Sequence, residues 1–433
     1  MEKLVGLRRE DKNIWERRVP LTPKHVKDLH ENENINFIVQ PFERRAFSAD
    51  EFKQAGAVID EDINKAPFIF AVKEIPINLL AENKVYMFFS HTIKGQAYNM
   101  PLLQKIIDLK DTLIDYEEIK DEKGRRLVFF GRFAGLAGMI DALHVYGERL
   151  KYFGYETPFL HVKPAYTYGD VNHAKEDVKK LANELKTSEL PEKFAPYIIG
   201  FTGYGNVSKG AQEIIDILPV IEIEPDEIQS VVDEKRKGIF KVVFKEENMV
   251  KPSESSAEFE LLDYYKHPEK YTPIFEDYLI NLSILVNAVY WDEKYPRIVS
   301  KKFLKENFDK MRLQLIQDIS CDINGGVEIT HKATEPDVPG YVYNPKTDTF
   351  TDGHEGEGVV NLAVDNLPTE IPKDSSIAFG DALEPFVPGI VNADYEKSFS
   401  EINLPPEIKH AVVVYKGELA PNYTYLNEFL KKQ

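Results

Sequence analysis

The chain has one cysteine, Cys321, in 433 residues. No intrachain disulfide can form and no multi-cysteine zinc site exists, which suits a reducing compartment and a cytoplasmic location. No metal is expected. Long apolar runs are also missing, and nothing approaches the length of a membrane-spanning helix. Met1-Glu2-Lys3-Leu4-Val5 reads as the start of a strand and not as a leader, so no membrane association is expected. Positive charge is in deficit. Against 54 Lys and Arg stand 72 Asp and Glu, a net charge of −18. That sign excludes nucleic acid as a partner, because phosphate attraction needs the opposite one.

What is present fits a globular protein of two or three domains with ample core: 43% hydrophobic and 12% aromatic residues over 433 positions. One stretch organises the rest. Tyr197-Ile198-Ile199-Gly200-Phe201 is an apolar β-rich run. It leads into Thr202-Gly203-Tyr204-Gly205-Asn206-Val207-Ser208, after which Ala211, Ile214, Ile215 and Leu218 fall at helical spacing. Strand, glycine turn and helix together form the context in which a G-x-G pattern binds a dinucleotide. One glycine allows the turn. The next, Gly205, lets the backbone approach a pyrophosphate that sits on the helix N-terminus at Asn206 and Val207. Ser208 stands where a third glycine is usual, and the motif alone also describes an ordinary βα turn. Val220–Glu224 alternates as a second strand. Glu224 lies 19 residues beyond Gly205, about where an acid meets an adenine ribose, although a solvent-facing glutamate reads the same way.

Before that turn the chain already alternates strand and helix. Strands are expected at Leu4–Leu7, Asn36–Val39, Phe68–Val72, Val85–Phe89 and Thr112–Tyr116. Helices are expected after Thr22-Pro23, after the Ser48–Glu51 capping box and over Met100–Leu109. This alternation predicts a parallel, doubly wound sheet in a separate α/β domain. Ala134, Gly138 and Ala142 predict a flat helix face, suited either to tight core packing or to the meeting of two domains. Later strands are expected at Ile284–Tyr290 and Leu313–Ile319. The stretch 226–278 is charged and proline-punctuated and yields no clear elements.

In open parallel sheets ligands bind at the carboxyl ends of strands. Lys73-Glu74 follow one apolar strand and His91 follows another. A lysine leaving such a strand is partly desolvated and titrates low, and Glu74 and Glu117 push it the other way. A histidine works as acid or base near neutrality with little tuning. The same residues also read as a snorkelling lysine and a structural histidine. Against the acidic background arginines come in pairs, including Arg17-Arg18 and Arg125-Arg126. They suit either bidentate carboxylate recognition or surface ion pairing.

These stretches together resemble the lysine–2-oxoglutarate reductase family, the saccharopine-forming enzymes, and most of all the reductase half of the bifunctional aminoadipate semialdehyde synthases. The resemblance runs over nearly the whole chain. It is carried by Arg8-Arg9-Glu10-Asp11, Trp15–Pro23, Phe88–Lys94, Phe201–Gln212, Asp318-Ile319-Ser320 and Asp365–Pro368. The first of these is shared with alanine dehydrogenases and transhydrogenases. The glycine-turn stretch is more specific, and Ser208 belongs to this family's form of it.

The resemblance implies two Rossmann-like doubly wound domains with the active site in the cleft between them. The first comprises residues 1–131 plus about 355–433. The second, residues 132–354, binds the dinucleotide. It further implies Lys73 and His91 as the acid–base pair, tuned by Glu74 and Glu117. Arg18 and Arg126, with Arg125, would hold substrate carboxylates, and Asp318 would sit by the cofactor or the lysine. The expected reaction is NAD(P)H-dependent condensation of lysine with 2-oxoglutarate to saccharopine, and its reverse, as a single activity. NADPH is favoured over NADH, with Lys235-Arg236-Lys237 available for a 2′-phosphate. The oligomeric state is not legible. Two alternatives stay open: an amino-acid dehydrogenase using free ammonia, and a nucleotide-sensing module without chemistry.

Overall fold

The computed structural model describes residues 2–431. The chain divides into two compact units. One joins the residues up to Phe130 to those from Pro372 onward, and the other is Gly131–Ile371.

In the first unit short apolar runs form the parallel strands β1 (Leu4–Leu7), β2 (Asn36–Val39), β3 (Val58–Ile59), β4 (Phe68–Phe70), β5 (Val85–Phe88) and β6 (Thr112–Asp115). Their order across the sheet is β3-β2-β1-β4-β5-β6. The chain winds outward from β1 on one side, then outward from β4 on the other. The loops leaving β1 and β4 therefore part, and a crevice opens at their carboxyl ends. Both faces of β4, β5 and β6 are buried, as covered parallel strands require.

The second unit contains β7 (Tyr197–Thr202), β8 (Val220–Glu222), β9 (Ile239–Phe244), a small antiparallel ribbon of β10 (Val250–Pro252) and β11 (Tyr271–Pro273), and then β12 (Ile284–Asn287), β13 (Leu315–Asp318), β14 (Gly340–Asn344), β15 (Thr349–Asp352) and β16 (Val359–Leu362). The large sheet runs β15-β14-β16-β13-β12-β7-β9-β8. All its pairings are parallel except those of β14, which close one edge. Both units are thus doubly wound α/β sheets, as expected. One detail differs. The second strand in chain order, β8, lies at the sheet edge, and β9 takes the place beside β7.

The helix Gly131–Tyr152 packs on the helix Asn206–Ile215 backbone to backbone. A Cβ on Gly135 would come within 1.9 Å of the Val207 carbonyl oxygen, and one on Gly210 within 2.1 Å of that of Arg132. The small residues that permit the approach are therefore Gly135 and Gly210, inside the second unit, and not the Ala134 row. Farther along the same helix, the Arg149 guanidinium is buried against the carbonyl oxygens of His354, Gly356 and Gly358, each at 2.7 Å. The glycine–acid run at 352–358 wraps this cation. The return to the first unit falls at Pro372 and not near 355, because β16 pairs with β13. Beyond it, β17 (Val412–Tyr415) pairs antiparallel with β6, and β18 (Glu418–Leu419) closes that edge. Among the described residues no helix is long and apolar enough to cross a membrane.

Candidate active site

The loop after β1 carries Glu10. Its two carboxylate oxygens accept the backbone N–H groups of Val72 and Lys73, just past β4, at 2.7 and 3.0 Å. A buried carboxylate thus bridges the two diverging loops and fixes where Lys73 emerges. Burial and the neighbouring Glu16 push the Glu10 carboxyl up to about 7, although the two N–H bonds and Arg8 pull it down. Lys73 itself is partly buried. Desolvation and the Arg18 charge lower its pKa, with Glu16 opposing, so a neutral amine becomes accessible.

His91 follows β5 in a left-handed backbone conformation, φ 50°. The Asn99 side-chain amide donates to its carbonyl at 3.1 Å and holds the bend. His91 Nδ1 lies 2.6 Å from Glu74 Oε1, and the Lys12 ammonium lies 2.8 Å from the other oxygen of Glu74. Burial alone would raise the Glu74 carboxyl. The His91 bond and charge, aided by Lys12, outweigh it and hold the group at about 2. An ionised Glu74 assigns the proton to Nδ1, which leaves Nε2 as the working end of the ring. Asp115, at the end of β6, ties this corner together. It accepts the Ser90 N–H at 3.1 Å, the Ser90 hydroxyl, and the Glu117 N–H at 2.8 Å. Burial pushes its carboxyl up to about 6.

The glycine turn of the second unit has the form that a dinucleotide needs. Gly203 has φ +76°, and a Cβ there would meet Val289 Cγ1 at 2.7 Å. Gly205 faces open space, with no atom within 4 Å of where its Cβ would stand. The first helical bond is Lys209 N–H to the Gly205 carbonyl, so the N–H groups of Asn206 and Val207 have no partner within the helix. Ser208 is buried and accepts from the Gln212 amide at 2.9 Å. A cavity of about 610 Å³ opens beside Gly203 and Gly205. The chain therefore fits a pyridine dinucleotide.

Residues 6–137 match the family model for the alanine dehydrogenase/PNT N-terminal domain, and residues 274–422 match that for its C-terminal domain. The chain belongs to the alanine dehydrogenase/PNT family. Within it, the chain is 37% identical to alpha-aminoadipic semialdehyde synthase of Arabidopsis thaliana over 99% of its own length and 42% of that protein's. The mitochondrial protein of the same name from Mus musculus is 34% identical, with 98% and 48% covered. The chain thus spans about half the length of these relatives. Saccharopine dehydrogenase [NAD(+), L-lysine-forming] of Emericella nidulans is 27% identical, over 88% of this chain and 90% of that one. Among solved structures, an L-alanine dehydrogenase aligns over 99% of both chains at 17% identity with a TM-score of 0.64. A transhydrogenase from Sinorhizobium meliloti aligns over 97% and 99% at 14% identity and 0.55. Both show the shared family fold.

On that family fold the expected site residues separate into groups. Lys73, Glu74 and His91 stand together at the ends of adjacent strands. Arg18 is buried, 2% exposed, with Nε and Nη2 on the two oxygens of Glu16 at 2.8 and 2.6 Å and its guanidinium 4.2 Å from the Phe130 ring centroid. Arg126 is half-exposed and bonds Glu117. Its neighbour Arg125 turns away to Asp121 at 2.7 Å and is 72% exposed. Asp318 is buried behind the glycine turn. Asn287 and Thr330 donate to its two oxygens at 2.8 and 2.6 Å, and Asn287 in turn accepts from Thr202 at 2.8 Å. Burial pushes the Asp318 carboxyl up to about 6.

Glu224 lies at the end of β8, outside β9, and begins the short helical turn Pro225–Glu227. Two strand spacings, about 10 Å, therefore separate β8 from β7. Lys235-Arg236-Lys237 precede β9 and so stand at the opposite end of the sheet from the turn. Lys237 pairs with Glu192 at 2.9 Å. The basic triplet expected to serve a 2′-phosphate is thus misplaced for it. Three acids carry no role in the sequence reading: Glu10 and Glu16, although both lie inside the matching stretches, and Asp115. Each lies at or within ten residues of the carboxyl end of a parallel strand, and that position was their signal.

Proposed function

We propose that this chain is a pyridine-nucleotide-dependent oxidoreductase that couples L-lysine to 2-oxoglutarate reductively, forming saccharopine, and catalyses the reverse. The lysine side-chain amine adds to the keto carbon, water leaves, and the imine is reduced to a secondary amine. The observation that carries the reading is the pair at the first unit's crevice: a partly buried lysine of lowered pKa beside a histidine anchored by an ionised glutamate. Condensation of an amine with a ketone needs a neutral amine, a protonated carbinolamine oxygen and a proton exchange at nitrogen, which calls for two titrating groups. His91, with Nε2 free of Glu74, protonates the carbinolamine oxygen. Lys73 exchanges the proton at the amine nitrogen. Glu16, kept ionised by Arg18, faces Lys73 as its counter-charge. Arg126 is the better placed of its pair to receive a substrate carboxylate. Gly203, Gly205, Asn206 and Val207 would hold the nucleotide, and a reduced nicotinamide supplies the hydride. The similarity to a saccharopine dehydrogenase described as L-lysine-forming supports lysine and saccharopine as the reactants.

The test is nucleotide oxidation by the purified chain, with lysine and 2-oxoglutarate supplied singly and together. Oxidation is expected only with both. Oxidation with 2-oxoglutarate and ammonia in place of lysine would overturn the reading in favour of an ammonia-using dehydrogenase.

A further inference from the structure

The strand beside the glycine turn is β9, and its carboxyl end therefore occupies the place from which a sheet of this kind recognises the adenosine ribose. Lys245 and Glu246 follow β9 directly. Glu246 lines the 610 Å³ cavity together with Gly203, Tyr204 and Gly205. Its carboxylate is held from two sides. The Tyr265 hydroxyl donates to it at 2.5 Å, and the hydroxyl of Tyr204, inside the turn itself, bonds it as well. Two hydroxyl donors on one acid fix its direction.

Lys294, Arg236 and Lys237 are engaged elsewhere, whereas Lys245 adjoins Glu246 in the chain. Lys294, on the same cavity wall, has its ammonium 4.8 Å from the Tyr295 ring centroid and 3.4 Å from the Tyr265 carbonyl oxygen. Arg236 lies 5.2 Å over the Phe240 ring, before that strand's midpoint. Lys237 pairs with Glu192 at the far end of the sheet.

A fixed carboxylate accepts well from the two hydroxyls of an unsubstituted ribose, since hydrogen bonds to an ionised acceptor are the stronger kind. The same carboxylate repels a 2′-phosphate, which carries nearly two negative charges at neutral pH. We propose that Glu246 is the ribose-recognising acid of this turn and that it makes the chain select NADH over NADPH. The proposal rests on the pyridine-nucleotide reading above and reverses the preference expected from the basic triplet.

The test is binding, without substrates. NADH and NADPH are titrated separately into the full chain and followed by quenching of tryptophan fluorescence, for which Trp291 in the cavity wall is placed. The proteins are the wild type, Glu246→Gln and Glu246→Arg, each checked for an unchanged melting temperature. Wild type is expected to bind NADH at least about 30-fold more tightly, the scale of one like-charge contact avoided. Glu246→Gln should bring the two affinities to within about threefold, and Glu246→Arg should invert them. Equal or tighter NADPH binding by the wild type overturns the proposal and leaves the nucleotide reading standing. So does an unchanged ratio in folded Glu246→Gln. Failure of the wild type to bind either nucleotide removes the nucleotide reading, and the proposal with it. The wild-type ratio decides the matter even if a variant does not fold.

Discussion

Replacing Glu10 by glutamine separates the electrostatics of the bridge between β1 and β4 from its hydrogen bonds. Glu10 is fully buried, and its carboxyl is carried from an ordinary 4.5 to about 7 by burial first and by the Glu16 charge second. The folded chain therefore holds that proton more tightly than the unfolded chain does. Stability from this group is fully present below pH 4.5 and is lost as pH rises through about 7. The loss amounts to roughly 3 kcal/mol. Glutamine does not titrate. Its amide oxygen still accepts one of the N–H groups of Val72 and Lys73, but its amino group faces the other, donor against donor. An unsatisfied buried donor costs about 1–3 kcal/mol. At pH 5 the variant should thus be the less stable by about that amount. At pH 8 it should match or exceed the wild type. The measurement is urea unfolding between pH 5 and 8 in a Trp291→Phe background, where Trp15 reports the first unit. Asp111 and Asp115, also raised in this unit, add a slope of the same sign to both proteins and cancel in the difference. A difference between wild type and variant that stays constant from pH 5 to 8 would refute the reasoning.

Lys73→Met and His91→Gln should each lower kcat by ~10²–10⁴-fold, the worth of a positioned acid or base. Nucleotide dissociation constants should stay unchanged, and near-normal turnover in both variants would remove the pair from the chemistry. Gly205→Ala should leave the melting temperature unchanged, because the added methyl meets nothing, yet weaken nucleotide binding about 10-fold or more where the pyrophosphate would approach. Gly203→Ala should lower stability as well, since φ +76° and Val289 both oppose a side chain there. Arg149→Met should cost about 3 kcal/mol or more, because it strands three carbonyls in the second unit. Thermal melting checks this last point.

The alternation of apolar runs and helix signals made β1, β4, β5 and β6 legible, and with them the emergence of Lys73 and His91 at neighbouring strand ends. The glycine turn was legible for the same reason, because its meaning lies within twenty residues of chain. Strand order was not. Ile239–Phe244 carries a lysine in its middle, Lys241, which Asp216 and Glu222 satisfy from elsewhere in the chain. Read alone it looks like part of a charged, irregular stretch. Its insertion beside β7 displaced Glu224 and installed Glu246. Arg125 and Arg126 take different partners, Asp121 and Glu117, through one residue of register. The bridge between Lys120 and Arg126 sends neighbouring side chains to opposite sides, a difference that sequence spacing does not contain. The bridging role of Glu10 escaped because its partners are backbone N–H groups more than sixty residues away.

The pairing of β17 with β6 has a consequence for how the chain is made. About 300 residues separate these strands, and at about 5–20 residues per second a ribosome needs roughly 15–60 s to deliver the second after the first. During that time the whole of Gly131–Ile371 has left the exit tunnel and can fold, while the sheet that carries Lys73 and His91 still shows a bare strand edge along Thr112–Asp115. The unit that begins first is finished last. Nascent chains caught in that interval present an unpaired, apolar edge to one another, so the yield of folded protein should depend on elongation rate and on chaperone supply more than the stability of the finished fold suggests.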